Sequence, residues 1–391
     1  MRDFSFCIPT CFIFGLGSPA RAGNEIAKRG GRRVLIVHDG GSYLEDLLQT
    51  VRKSIEDEGL IDLEMEEKAT SPCLSLICKG IAFCRANQVD FILAVGGGTV
   101  MDTAKGIAFL AVNDGNLTDY VHHRAESLKC MPVASVVTLS GTGSEVSATA
   151  MIIDDLHEPV IKYPLFQESI RFQFSIMDPT LTSSLPLRIT LAGAFDAITH
   201  IMERYFNGPS GYDLQDRLCE GVLCSMMHNM RQVIKNPSDY ETRAQLQMGS
   251  TLANSTLLGL GCDSDWAMHY MENPITTETH QLHGSTLAII APAWMRFCYE
   301  RDLPKAVSFA VRVMGIVPKE SDQKTALAGI DAFQAFVEEV GLPTHLNQIG
   351  IGPDRFRELA QLAVATAGKE YVGELSRLTR EEVQAIFTIA E

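Results

Sequence analysis

Asp90-Phe91-Ile92-Leu93-Ala94-Val95-Gly96-Gly97-Gly98-Thr99-Val100-Met101-Asp102-Thr103-Ala104-Lys105 is the stretch that decides how this chain folds. Its apolar run, bounded by glycine, reads as a buried strand. The three glycines let the backbone turn tightly and approach a ligand with no Cβ in the way. A helix is expected from near Thr99, and the free N–H groups of its first turn suit a pyrophosphate. No lysine follows at the P-loop spacing, which disfavours an ATPase.

Working outward, Met131–Leu139 reads as another strand, and Ser140-Gly141-Thr142-Gly143-Ser144-Glu145 follows it. That small-residue loop either wraps a cofactor with backbone and hydroxyl donors or is a plain exposed turn. Val34-Leu35-Ile36-Val37 is an earlier strand, with helices expected over 43–57 and 76–87. Strands alternating with helices imply a parallel sheet covered on both faces. Met151-Ile152-Ile153 and residues 159–174 suggest a hairpin-like excursion. From Pro186 the pattern turns helical, over 186–206, 213–235, 240–258, 287–299, 303–314, 323–340, 353–366 and 380–389. The fold expected is therefore an α/β dinucleotide-binding domain over 1–185, then an all-α metal-binding, catalytic domain over 186–391, meeting at a cleft.

Four residues in the helical half carry chemistry. Asp196 and His200 lie four apart in a Pro-free helical run, so both project from one face. His269 precedes Asn273-Pro274, which is expected to end its helix. His283 opens a further apolar run. One carboxylate and three imidazoles suit a divalent transition metal with open positions.

Composition bounds the function. The chain has 391 residues, 46% hydrophobic and 21% charged, and a net charge of −15. That charge argues against nucleic acid or an anionic membrane as partner. No apolar stretch is long enough to span a bilayer, and the N-terminus lacks a signal pattern. The ten cysteines contain no C-x-x-C pair and are read as reduced, mostly buried thiols of a cytoplasmic protein.

These motifs together resemble the iron-dependent (group III) alcohol dehydrogenases, in their butanol dehydrogenase and aldehyde reductase branch. The resemblance rests on Gly96–Asp102, Ser140–Glu145, Met177-Asp178-Pro179, Gly193–His200, His269, His283-Gly284 and Gly341–Thr344, in family order. It implies metal ligation by Asp196, His200, His269 and His283, with Fe2+ first and Zn2+ or Mn2+ as alternatives. It implies cofactor contacts from Asp39, Gly40, Ser42, Ser71, Gly96, Gly97, Gly98, Thr99, Asp102, Thr138, Leu139, Thr142, Ser144, Lys162 and Leu181. It also implies a catalytic part for Lys162, a homodimer, and hydride transfer between a nicotinamide cofactor and a small aldehyde or primary alcohol. A dehydroquinate synthase-like lyase and a non-catalytic metal- and nucleotide-binding protein are the rival readings.

Asp39 favours NAD, because a carboxylate accepts from a ribose 2′-hydroxyl and repels a 2′-phosphate. Gly40, Gly41 and Ser42 keep NADP open, and Asp39 also suits a turn. Two departures from the family concern proton handling and cofactor contacts. Asn273 stands where many members have a histidine, leaving His280 as a substitute, and Ser71 stands for the usual asparagine. The substrate pocket is expected near Ser147, Thr149, Ile153, Asn254, Leu258 and Cys262. An anionic aldehyde would need a cation from His122, His123, Arg124 or Arg171.

Overall fold

The structure, a computed structural model, describes residues 3–66, 71–122, 124–125, 127–158, 160–206 and 212–391. The chain divides into two compact units, Cys7–Ser184 and, in the main, Leu185–Glu391.

The first unit has strands β1 (Cys11–Phe14), β2 (Arg33–His38), β3 (Ile61–Glu66), β4 (Phe91–Gly96), β5 (Val133–Val137), β6 (Thr149–Asp154), β7 (Ile161–Phe166) and β8 (Phe174–Met177). Six form one sheet in the order β1-β8-β5-β4-β2-β3, every pair parallel. Parallel neighbours need crossovers; the helices Glu45–Asp57, Leu74–Asn87 and Gly98–Leu110 provide those after β2, β3 and β4. Alternate residues of β2 and β4 enter opposite cores. Leu35, Val37, Ile92 and Ala94 pack on one face, and Val34, Ile36, Phe91, Leu93 and Val95 on the other. Both faces are covered, which is why these strands read as unbroken apolar runs. The chain leaves β2 toward β3 on one side and β4 toward β5 on the other. The carboxyl ends of β2 and β4, in register at His38 and Val95, therefore flank a topological switch point, where open α/β sheets bind ligands. β6 and β7 form the antiparallel hairpin.

The second unit is helical: Leu187–Tyr205, Asp213–Lys235, Tyr240–Asn254, Ala267–Thr279, His283–Cys298, Leu303–Arg312, Asp322–Glu339, Pro353–Thr366 and Arg380–Ile389. One apolar core runs through it, with Phe195, Ile198, Tyr205, Met271 and Phe333 fully buried. No helix among the described residues is long and apolar enough to cross a membrane.

Three expectations are corrected. Pro274 does not end its helix, which runs from Ala267 to Thr279 with Pro274 inside. Burial of Met271, Pro274 and Ile275 in the core outweighs the one backbone bond that proline removes. The helix expected over 287–299 starts four residues earlier, at His283. Finally, the cysteines are all free but not mostly buried: Cys84, Cys219 and Cys298 are, whereas Cys7, Cys11, Cys78 and Cys224 are exposed. Cys11 opens an edge strand, and Cys78 and Cys224 lie on outer helix faces.

Candidate functional site

The carboxyl edge of the sheet gathers most of the expected cofactor residues. Gly97 caps the helix Gly98–Leu110, so Gly98 and Thr99 sit in its first turn, beside unpaired N–H groups. A Cβ at Gly98 would stand 2.9 Å from the Thr142 side chain, and one at Gly97 3.4 Å from Leu139. The Ser140–Ser144 loop thus lies directly across the glycines, and a side chain at 98 would force Thr142 to move. Thr138 N–H donates to the Gly96 carbonyl at 3.1 Å, closing the same corner.

At the neighbouring strand end, Asp39 closes a turn. Its Oδ1 accepts from Gly41 N–H at 2.8 Å and its Oδ2 from the Tyr43 hydroxyl. Gly40 has φ +74°, a conformation that favours glycine, and Ser42 begins a short 3-10 turn. Ser71 is half-buried, and the adjacent Pro72 carbonyl accepts from Ile153 N–H at 2.8 Å. Leu181 is half-buried beside the sheet core. Lys162 is exposed on β7 opposite Ile153, and its charge acts on Asp102.

Half-buried Asp102 and buried Lys105, one turn apart on the helix after β4, act together in a way the sequence did not reveal. Asp102 accepts from the Ser144 hydroxyl at 2.6 Å and Met151 N–H at 2.9 Å. Lys105 is wholly buried. Its Nζ donates to the Ser144 carbonyl and hydroxyl at 2.7 and 2.9 Å, and to the Ser147 and Thr149 carbonyls at 3.0 Å. Burial pushes the ammonium down to about 8, against the pull of Asp102 and Glu145. Burial also pushes the Asp102 carboxyl up, opposed by Lys105. The pair ties the Ser/Gly loop and the hairpin to the helix after β4.

In the helical unit, the four expected ligands come together. Asp196 and His200 share a face of Leu187–Tyr205, His269 lies in the first turn of Ala267–Thr279, and His283 opens His283–Cys298. Gly284 explains the last placement: a Cβ there would stand 1.8 Å from the Ala192 carbonyl. Its absence lets the two helices touch and brings His283 beside Asp196. The Nε2 atoms of His200, His269 and His283 lie 3.4, 3.7 and 3.5 Å from Asp196 Oδ1. Asp196, His200 and His269 alone satisfy the tightest grouping of donor atoms; His283 completes the ring from the side, its ring centroid 5.5 Å from that of His269. Asp196 Oδ1 and His269 Nε2 are buried without a hydrogen-bond partner among the described residues.

Two carboxylates that sequence reading missed stand behind the histidines. Glu203 Oε1 is 3.3 Å from His269 Nδ1 and accepts from Met268 N–H at 2.9 Å. Glu272 Oε2 is 2.7 Å from His283 Nδ1. Both are fully buried. The available signal was helical spacing, since Glu203 is one turn from His200 and Glu272 one turn from His269. Burial raises the Asp196 carboxyl, but the histidines outweigh it and hold the group at about 2. Burial drives His200 well below its usual range. For His269, burial is outweighed by Asp196 and Glu203, which lift it to about 9; for His283, Glu272 and Asp196 likewise prevail and raise it.

The remaining expected residues lie elsewhere. His280 is exposed at the C-terminal end of Ala267–Thr279, with φ +54°; among the described residues, none of the ion pairs that knit the cluster includes it. Leu258 is buried in the helical core rather than lining a surface. Arg171 is buried and committed to Glu168 and the Val146 carbonyl, and Arg124 pairs with Asp119. His122 is exposed. His123 and Pro159 fall outside the described residues.

Residues 9–179 match the family model for iron-containing alcohol dehydrogenase, and 190–390 match that for the C-terminal part of the Fe-containing alcohol dehydrogenase family. The chain is 34% identical to NADH-dependent butanol dehydrogenase A of Clostridium acetobutylicum over 99% of both proteins. It is 30% identical to the NADPH-dependent aldehyde reductase YqhD of Escherichia coli over 100% of both. The solved structure of NADH-dependent butanol dehydrogenase A from Thermotoga maritima is similar at a TM-score of 0.91 and 30% identity, over 100% of this chain and 99% of that one.

Proposed function

The chain belongs to the iron-containing alcohol dehydrogenase family, and from that premise we propose that it works mainly as an NADH-dependent reductase of small aldehydes. It is an oxidoreductase of alcohols and aldehydes that uses a nicotinamide cofactor. The observation that carries the reading is the convergence of three imidazole Nε2 atoms on the buried Asp196 Oδ1. Buried polar atoms left without partners are costly unless something pairs them, and a divalent cation fits this donor set. Iron is the first choice by family; zinc or manganese also suits mixed nitrogen and oxygen donors.

Bound there, the cation supplies Lewis-acid polarisation of a substrate oxygen, and the nicotinamide carries the hydride. The protein's own residues do the rest. Asp196 contributes the anionic donor, and His200, His269 and His283 the neutral ones. Glu203 accepts from His269 Nδ1 and so keeps its Nε2 lone pair inward. Gly97, Gly98 and Thr99 offer N–H groups to a pyrophosphate at the switch point. Asp39 presents a carboxylate to the adenosine ribose and disfavours a 2′-phosphate; NADPH is the second choice, supported by the cofactor named for the Escherichia coli relative. Lys162 adds positive charge above Asp102.

Direction follows from Asn273, a residue that cannot take the proton an alcohol must lose, whereas reduction needs only protonation by water. Small uncharged aldehydes are favoured over anionic ones because Arg171 and Arg124 are already paired. A homodimer is supported by the exposed Phe14 and Leu16 at the edge strand β1, and a cytoplasmic location by ten free thiols. The lyase and sensor readings fall with family membership. The test is steady NADH oxidation across a panel of short aldehydes at neutral pH. Sustained turnover is expected with at least one of them, and none with any of them contradicts the reading.

A further inference from the structure

We propose that Glu272 is a positioning residue for His283, one that fixes its ring and tautomer so that Nε2 faces Asp196. The inference rests on the metal reading above and deepens it.

His283 is the least secured of the four donors. It is the first residue of its helix, and its side chain is 41% exposed, against 14% for His200 and 15% for His269. An imidazole in that position can turn about χ2 and present either nitrogen. Yet it makes the shorter of the two histidine–glutamate contacts, 2.7 Å against 3.3 Å for His269 and Glu203. Glu272 itself is fully buried, and a buried carboxylate is expensive unless its oxygens are satisfied. One oxygen meets His283 Nδ1. The other accepts from the Thr276 hydroxyl, one helical turn along, and Thr276 in turn lies 3.2 Å from the Thr286 hydroxyl. The carboxylate is therefore clamped between the helices Ala267–Thr279 and His283–Cys298. Glu272 Oε2 has no hydrogen-bond partner among the described residues, and on this proposal it receives the hydrogen that His283 Nδ1 carries. The lone pair then lies on Nε2, 3.5 Å from Asp196 Oδ1. Rotating the ring would break the Nδ1 contact and strand a buried charge.

The test uses Co2+ as the probe, with affinity measured by chelator competition on the purified full chain and the visible d–d spectrum recorded for each loaded variant. Glu272→Ala is expected to weaken Co2+ binding about 10–100-fold, the usual range for an outer carboxylate on a ligating histidine. Glu272→Gln keeps an acceptor for the Nδ1 hydrogen, so it should recover most of that affinity while shifting the d–d band. Affinity of Glu272→Ala within about twofold of the native protein overturns the proposal. So does a Glu272→Gln variant as weak as Glu272→Ala, because the effect is then charge rather than position. If Glu272→Ala does not fold, the Glu272→Gln spectrum decides, and an unshifted band overturns the proposal. Asp196→Ala, run alongside, separates the two levels: native affinity there overturns the metal site itself, whereas its loss with Glu272→Ala unaffected overturns only the role of Glu272.

Discussion

Lys105→Met tests how the cofactor edge of the sheet is held together. Methionine keeps the apolar stem packed but removes every N–H that Lys105 donates. The Ser147 and Thr149 carbonyls, both at 3.0 Å, lose that donor, whereas the Ser144 carbonyl keeps the Ser147 N–H at 3.3 Å. An orphaned buried acceptor costs about 1–3 kcal/mol, so two cost about 4 kcal/mol at the midpoint. Methionine also removes the burden of a buried ammonium. Burial pushes that group from its usual 10.5 to about 8, which at 1.36 kcal/mol per unit is about 3 kcal/mol. The net loss is then about 1 kcal/mol. In a unit of this size that lowers Tm by about 2–4 °C. Calorimetry reads the unfolding, and titration of NADH by fluorescence reads the second consequence, weaker cofactor binding as the Ser140–Ser144 loop slackens over Gly97 and Gly98. Bound metal should be unchanged, because all four ligands lie in the other unit. An unchanged Tm, within about 1 °C of native, together with unaltered NADH binding would refute the idea that Lys105 fastens this loop.

Further outcomes are expected. Asp39→Gly should lower the preference for NADH over NADPH in kcat/KM by about 1–3 kcal/mol, roughly 5–150-fold; a native enzyme already preferring NADPH sinks the assignment. Asn273→His should raise initial rates of alcohol oxidation at saturating substrates near neutral pH more than those of aldehyde reduction, and equal changes in both directions contradict the proton argument. Burial, aided by Glu203, pushes the Asp265 carboxyl up to about 6, so between about pH 4 and 6 the folded protein keeps a proton that the unfolded chain has lost. Stability from this group therefore falls as pH rises through that window, by about 3 kcal/mol in all. Relative to native, Asp265→Asn should gain that amount between pH 4 and 7 in denaturant titrations; a difference independent of pH disproves it.

What was legible in the sequence was whatever burial wrote as local pattern. β2, β4 and β5 are covered on both faces and read directly as apolar runs. The edge strands β1 and β3 did not: Ile61-Asp62-Leu63-Glu64-Met65-Glu66 alternates, and its side chains are exposed or half-buried. β8 has only four residues, too few to show a period. The gathering of Asp196, His200, His269 and His283 was expected from residue type and family resemblance, but the groups behind them were not. Glu203 and Glu272 look like ordinary polar helix positions until tertiary packing puts them behind the imidazoles. Lys105 sat inside the quoted glycine motif without declaring a role, because its four acceptor atoms are supplied by residues some forty positions later in the chain. Pro274 misled for the opposite reason, a strong local signal overridden by the core around it.

Activity is expected to require a metal held by Asp196, His200, His269 and His283. The direct measurement is NADH-dependent aldehyde reduction after exhaustive chelation, with circular dichroism on the same sample, followed by titration with Fe2+, Zn2+ or Mn2+. The expected result is loss of turnover with the fold retained, restoration near one equivalent of metal, and no restoration in His269→Ala. Full activity in the metal-free protein would contradict it.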